Sequence, residues 1–220
     1  MMKFNLSLLF ILALVWNLQA QSSKGLGSND PEAKKVLDEV SSKFRTYKTV
    51  QAKFVLKVEN GSGKSMGTKS GTVFMKGSKY RISLPDQEIF SDGANVWTMN
   101  KEDNEVTITK IDPSGGSLTP QKLFTNFYDK DFLYKLNGLT ALNGKKMKEV
   151  ELTPVDKTKP FFKVLLYVDK SAINTTKIFE KNGNRYTYST SSFKPNTAIA
   201  DATFIFDAKK YPGVEVVDLR

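Results

Sequence analysis

Hydrophobic and polar residues follow a helical spacing between Pro31 and Tyr47. Apolar side chains recur three or four positions apart there, as on one face of a helix. They are Ala33, Val36, Leu37, Val40, Phe44 and Tyr47. Asp30, Pro31 and Glu32 precede this stripe, and Asp as N-cap with Pro in the first turn is typical of a helix start. The pattern predicts an amphipathic helix that packs on a flat apolar surface.

After residue 50 the apolar residues alternate with polar ones. Val50, Ala52, Phe54, Leu56 and Val58 share one parity, which predicts a strand with one buried face. Further strand-like runs cover residues 71–76, 80–84, 88–91, 96–100, 106–110, 133–136, 148–154, 162–168, 177–181, 185–193 and 203–206. The links carry Asp92-Gly93, Asn137-Gly138, Asn143-Gly144 and Asn182-Gly183, which favour tight hairpin turns. The chain therefore predicts one large antiparallel sheet.

One helical segment interrupts the strands. Residues 112–116 break the chain, and Thr119 followed by Pro120 is typical of a second helix start. The apolar face of this short helix carries Leu123, Phe124 and Phe127.

The N-terminus has the features of a secretory signal peptide. Lys3 precedes an apolar stretch at 6–18, and Ala20 is a small residue before Gln21. The alternative is a membrane anchor, but spanning a bilayer takes ~20 apolar residues. We expect a cleaved signal at 1–20, a flexible tether at 21–29 and a single domain at 30–220, located in the periplasm if the chain is bacterial.

Composition removes several function classes. The 220 residues include no His and no Cys, which excludes Ser-His-Asp triads, thiolate nucleophiles, disulfides and histidine-ligated zinc. The net charge of +10 is compatible with binding to an anionic membrane surface, with binding to an acidic partner, or with a role in keeping the protein soluble. Nucleic acid is disfavoured, because the basic residues are spread along the chain without an Arg cluster or a stacking motif. We predict no metal, no cofactor and no catalytic residue.

Two short motifs resemble catalytic signatures but lack their context. The segment at 61–65, Gly-Ser-Gly-Lys-Ser, lacks the first Gly of a phosphate-binding loop and precedes a strand. Ser191 and Lys194 lie on a strand, where residues three apart point to opposite faces. We interpret both as structural.

An ordered set of motifs resembles the LolA family of periplasmic carriers for outer-membrane lipoproteins. The amphipathic helix and first strand are followed by Gly71-Thr-Val-Phe-Met-Lys76, Lys79-Tyr-Arg-Ile82, Ile89-Phe-Ser-Asp-Gly93, Val96-Trp97, Ala202-Thr-Phe-Ile-Phe206 and Gly213-Val-Glu-Val216. The resemblance implies an α+β fold, a strongly curved, incomplete antiparallel β-barrel of about eleven strands with helices over the open side.

The resemblance also implies a function, a periplasmic chaperone that binds lipoprotein acyl chains in a hydrophobic cavity and carries them from the inner to the outer membrane. Strand parity selects candidate cavity residues: Phe54, Leu56, Tyr80, Ile82, Leu84, Trp97 and Met99. Candidate lid residues are Val36, Leu37, Val40, Phe44, Leu123, Phe124 and Phe127. For each of them, core packing is the competing interpretation.

The implied partners are triacylated outer-membrane lipoproteins, an inner-membrane lipoprotein-releasing ABC transporter and, as an open question, an outer-membrane receptor; we expect a monomer that binds no nucleic acid. One alternative is a sensor or carrier of another amphiphile, a lipid or fatty acid, on the same fold; another is an enzyme.

One position departs from the family. Gly77 stands where many members carry an Arg thought to hold the helical lid closed, so a loosely latched lid is expected.

Overall fold

The computed structural model describes residues 29–111 and 128–220. Helix α1 spans Pro31–Arg45 and begins as predicted, because Asp30 Oδ1 accepts a hydrogen bond from the Glu32 N–H at 2.9 Å. It ends at Thr46, whose N–H donates to the Lys43 carbonyl at 3.1 Å. The short helix α2 spans Tyr128–Asp131.

Within the described residues, twelve strands form one open sheet around α1. They are β1 Thr49–Glu59, β2 Ser65–Lys76, β3 Lys79–Ser83, β4 Gln87–Ser91, β5 Asn95–Asn100, β6 Glu105–Lys110, β7 Phe132–Leu142, β8 Lys145–Pro154, β9 Phe161–Asp169, β10 Ala172–Glu180, β11 Arg185–Pro195 and β12 Glu215–Asp218. Their order is β12-β6-β5-β4-β3-β2-β1-β11-β10-β9-β8-β7. All neighbours are antiparallel except β12 and β6, which are parallel. The predicted class, an incomplete antiparallel barrel with helices, is confirmed, and the described part of the chain has twelve strands where about eleven were expected.

One predicted turn is wrong. Asn137-Gly138 does not end a strand but lies inside β7, where the register with β8 shifts between Leu136 and Gly138. Gly138 has a φ of +102°, which lets the chain bulge and continue pairing. The β7–β8 hairpin turns at Asn143-Gly144 instead, with φ of +51° and +75°.

The predicted strand at 203–206 is also wrong. Asp201–Phe204 is a 3-10 helix, followed by a second one at Ala208–Lys210. Phe204 is fully buried, and the Phe206 ring lies 5.9 Å from Phe90 and 5.0 Å from Tyr211. Aromatic anchoring onto the sheet, rather than strand pairing, therefore accounts for the apolar residues of this C-terminal segment.

The register assigns every strand residue to one of two faces, because directly opposed residues point to the same side. We call the side that carries α1 the inner face. Ala33, Val36, Leu37 and Val40 of α1 are buried there in a cluster with residues of β7–β10, including Tyr134, Val150, Leu152, Val164 and Leu166. A second cluster on the same face joins Phe44 and Tyr47 to Val50, Ala52, Met75 and Tyr80.

Several sequence predictions fall outside the described residues. They are the signal peptide at 1–20, nearly all of the tether at 21–29, and the second helix with Thr119, Leu123, Phe124 and Phe127. Within the described ranges, no helix has the length and apolar content needed to cross a membrane.

Candidate functional site

An apolar tract lies on the inner face of β1–β4 beside the end of α1, and three of its members, Val73, Ile82 and Ile89, pack against the second cluster. Ala52 opposes Val73, Val73 opposes Ile82, and Ile82 opposes Ile89. Its members, which we call the inner apolar tract, are Phe54, Leu56, Val73, Ile82, Leu84 and Ile89. All except Leu56 are only half-buried. Half-buried large apolar side chains in one contiguous group can contact an apolar ligand.

A glycine shapes this tract. Gly71 opposes Phe54 across the β1–β2 pair. A Cβ at Gly71 would come within 2.9 Å of Phe54 Cε1 and of Leu84 Cδ2. The Phe54 and Leu84 side chains therefore occupy the space that a side chain at Gly71 would need.

Tyr188 continues the inner apolar tract onto β11, and the pKa values of Tyr188 and Tyr80 indicate that their surroundings are apolar. The Tyr188 ring lies 6.0 Å from the Phe54 ring, and Tyr188 opposes Leu56. Burial is the main cause that raises the pKa of Tyr188 above its ordinary value. Burial likewise raises the pKa of Tyr80, against a smaller opposing effect of its hydrogen bond with Ser91. At the rim, Lys69 and Asp86 form an ion pair.

Two pockets flank the C-terminal end of α1. One has a volume of about 330 Å³ and lies between α1 and the ends of β9, β10 and β11. The other, of about 140 Å³, lies between α1 and the start of β1 and end of β2. Phe44 and Tyr47 line both pockets, so the last turn of α1 forms a wall between them.

The register divides the seven candidate cavity residues between the two faces. Phe54, Leu56, Tyr80, Ile82 and Leu84 lie together on the inner face. Ile89 opposes Thr98, so Trp97 and Met99 point to the outer face. Met99 is almost fully buried there. A ligand on the inner apolar tract would therefore not contact either of these two side chains.

The lid candidates also have different environments. Val36, Leu37 and Val40 are 2–4% exposed and belong to the packed core over β7–β10. Phe44, one turn further, is half-buried and borders both pockets. Leu123, Phe124 and Phe127 are not among the described residues.

Gly77 and Arg81 occupy different sides of the sheet. Gly77 has a φ of +56° and lines the smaller pocket, together with Phe44 and Arg45 of α1. Arg81 points to the outer face, where its Nε donates to Glu88 Oε2 at 3.1 Å and its guanidinium lies 4.8 Å from the Phe90 ring centre. Arg81 is therefore in no position to latch α1 from the inner face.

Sequence reasoning missed the buried ion cluster around Glu88. Lys101 Nζ lies 3.2 Å from Glu88 Oε1, and the Glu88 side chain is only 10% exposed. Burial opposes ionisation of Glu88, but its bonds and charge interactions with Arg81 and Lys101 outweigh burial and hold its pKa below the ordinary value. A Glu in an alternating strand gave no signal for this role, because its partners come from β3 and from the turn after β5.

The family model described as outer membrane lipoprotein carrier protein LolA matches residues 45–207. The chain belongs to the LolA family. An outer-membrane lipoprotein carrier protein from Cupriavidus necator is 29% identical over 181 residues, which cover 79% of this chain and 84% of that protein. A protein of the same description from Dechloromonas aromatica is 26% identical over 174 residues, 77% and 82% of the two chains.

Among solved structures, an uncharacterized conserved protein from Thermus thermophilus has the same fold. Its TM-score is 0.55 at 14% sequence identity, with 85% of this chain and 99% of that chain covered.

Proposed function

We propose that this LolA-family protein is a periplasmic carrier that binds the acyl chains of lipoproteins and carries them from the inner to the outer membrane. Family membership supports a lipoprotein cargo, and the inner apolar tract supports the mode of binding. We assign the cargo as triacylated lipoproteins, received from an inner-membrane lipoprotein-releasing ABC transporter, and the carrier as a monomer that catalyses no reaction. The observation that carries the proposal is the half-buried apolar surface beside α1.

The energetics of the task fit such a surface. Leaving one acyl chain of ~16 carbons in water costs about 0.8 kcal/mol per CH₂, on the order of 12 kcal/mol in all. Contact with Phe54, Ile82, Leu84 and their neighbours would offset part of that cost without a covalent bond. A binding surface of this kind requires no nucleophile or proton donor, which fits a chain that lacks His and Cys.

The proposal is tested with a fluorescent fatty-acyl probe and the variant Phe54→Asp. We expect saturable binding of the probe to the purified protein and at least tenfold weaker binding to the variant. The bound acyl chain would remove water from the carboxylate of Asp in the inner apolar tract, and this desolvation is costly. Val55→Asp is the matched control, since Val55 is the next residue of β1 and points to the outer face. Thermal unfolding of both variants separates lost binding from lost folding.

Two outcomes would contradict the proposal. One is a folded wild-type protein that binds no probe and co-purifies with no triacylated protein. The other is an equal loss of binding in both variants. Recovery of a single-chain lipid, and no lipoprotein, by mass spectrometry of the purified protein would favour the alternative carrier of another amphiphile.

A further inference from the structure

The outer face of β9, β10, β11 and β1 collects basic side chains from distant parts of the chain. Arg185 opposes Phe179 and Glu59, and Phe179 opposes Lys163 on β9. In the next row, Thr187 lies between Lys177 and Lys57. We call Lys57, Lys163, Lys177 and Arg185 the outer basic face. Because Val164 and Ile178 of the same strands belong to the inner core cluster, these four cations lie on the side opposite α1.

Two aromatic rings lie within this face. The β9–β10 register shifts between Phe179 and Glu180, and the bulge leaves Phe162 half-exposed, at 49%. The rings of Phe162 and Phe179 are 6.2 Å apart. Lys163 Nζ lies 4.6 Å from the centre of the Phe179 ring, and the Arg185 guanidinium lies 5.8 Å from it. Two of the cations therefore lie against Phe179, and the exposed ring of Phe162 is next to it.

The positive charge of this face is only partly compensated. Glu59 is the carboxylate within it, with Lys57 Nζ 2.9 Å from Glu59 Oε1. The hydrogen bond from Lys57, followed by the charges of Lys57, Lys177 and Arg185, keeps the pKa of Glu59 below its usual value. Glu149 and Glu151 lie on β8, beyond β9, and the side chain of Asn137 donates to both. Among the described residues, Glu59 is thus the carboxylate that an ion pair and the strand register place within this group of four cations.

We propose that the outer basic face docks the protein on an anionic lipid bilayer. Lys and Arg near an anionic surface are attracted to its headgroups, and aromatic rings settle at the boundary between headgroups and acyl chains. Long basic side chains keep their charge in the aqueous layer while their stems lie against apolar surface. The exposed ring of Phe162, next to the Phe179 ring that the cations contact, favours a bilayer over an acidic protein surface. Docking on this side leaves α1 and the inner apolar tract accessible.

The test is co-sedimentation of the full protein with large unilamellar vesicles. We expect binding to vesicles of equal parts phosphatidylglycerol and phosphatidylcholine, and little binding to phosphatidylcholine alone. Raising the salt to about 0.5 M should release the protein, because exposed charges are screened. The variant Lys163→Gln, Lys177→Gln, Arg185→Gln should bind roughly 100-fold more weakly, since each basic residue near the surface contributes about fivefold.

A matched variant separates this face from net charge. Lys35→Gln, Lys146→Gln, Lys209→Gln removes the same charge from exposed lysines on α1, β8 and the second 3-10 helix. It should change vesicle binding by less than about threefold, because charges beyond a Debye length act weakly. Equal losses in both variants, or no binding of wild type to anionic vesicles, would overturn the inference. Acyl-probe binding should persist in both variants, so failure of the carrier proposal would be seen separately.

Discussion

The variant Gly77→Arg tests whether a donor at this position would fasten the end of α1. Gly77 borders the smaller pocket opposite Phe44 and Arg45, and a Cβ there would meet no atom within 4 Å. An Arg side chain thus has room to reach the carbonyls of the last helical turn. One or two such hydrogen bonds are worth ~1–3 kcal/mol of preference for the closed position.

Backbone strain opposes that gain. The φ of +56° at Gly77 is left-handed, and a residue with a Cβ costs ~1–2 kcal/mol there. Gly77→Met is therefore the matched control, because Met carries the same backbone strain and a long side chain but has no hydrogen-bond donor. The difference between the two variants isolates the hydrogen bonds from the strain.

Amide exchange in the last turn of α1 is the measurement. We expect exchange in Gly77→Arg to be about fivefold to 150-fold slower than in Gly77→Met, which is 1–3 kcal/mol of added closed-state preference. The lipid-loaded protein should show a smaller difference. Equal exchange in the two variants would refute the reasoning, and Arg81 could not be invoked as a substitute latch because it points to the outer face.

Three further predictions concern stability. Leu37→Ala should lower the free energy of unfolding by about 2–5 kcal/mol in denaturant titration, whereas exposed Glu39→Ala should change it by about 0.5 kcal/mol or less. Folding lowers the pKa of Glu88, so the ionised side chain adds to the free energy of unfolding. This stabilisation is fully present above the unfolded pKa near 4.5 and is lost as the pH falls through the folded pKa. Glu88→Gln should therefore cost roughly 1–3 kcal/mol at pH 7 and progressively less as the pH falls below 4.5, and an undiminished cost in acid would contradict this assignment. Gly71→Ala should destabilise by about 1–3 kcal/mol through overpacking, and a second change, Phe54→Leu, should recover part of it; strictly additive effects would argue against contact.

Local periodicity predicted most elements, because each helix or strand is defined within a few residues. The stripe from Ala33 to Tyr47 predicted α1, and Asp30 predicted where it begins. Alternation predicted eleven of the twelve strands, since one buried face imposes a period of two. The same logic failed at 203–206, where apolar residues anchor a 3-10 helix rather than a strand.

The site was only partly predictable, because parity relates residues within a strand and not between strands. Whether Trp97 shares a face with Ile82 depends on turn lengths and register, which a single sequence does not reveal. Because Ile89 pairs with Thr98, Trp97 points to the face opposite Ile82. The bulge that exposes Phe162 and the gathering of Lys163 with Arg185 depend on register in the same way.

The division of α1 into two parts limits how a cargo could enter. Its first three turns are core, with Leu37 2% exposed, while its last turn stands between pockets of about 330 and 140 Å³. A pocket of 330 Å³ is at the lower end of the range that holds one drug-sized ligand, so three acyl chains need additional space. Because displacing the first turns would open the core cluster, we expect that space to come from movement of the last turn. Spin labels at Arg45 and Ser78 should then move apart when a triacylated lipoprotein is loaded, whereas labels at Lys35 and Lys135 should keep their separation. A change confined to the second pair would show instead that α1 pivots about its C-terminal end.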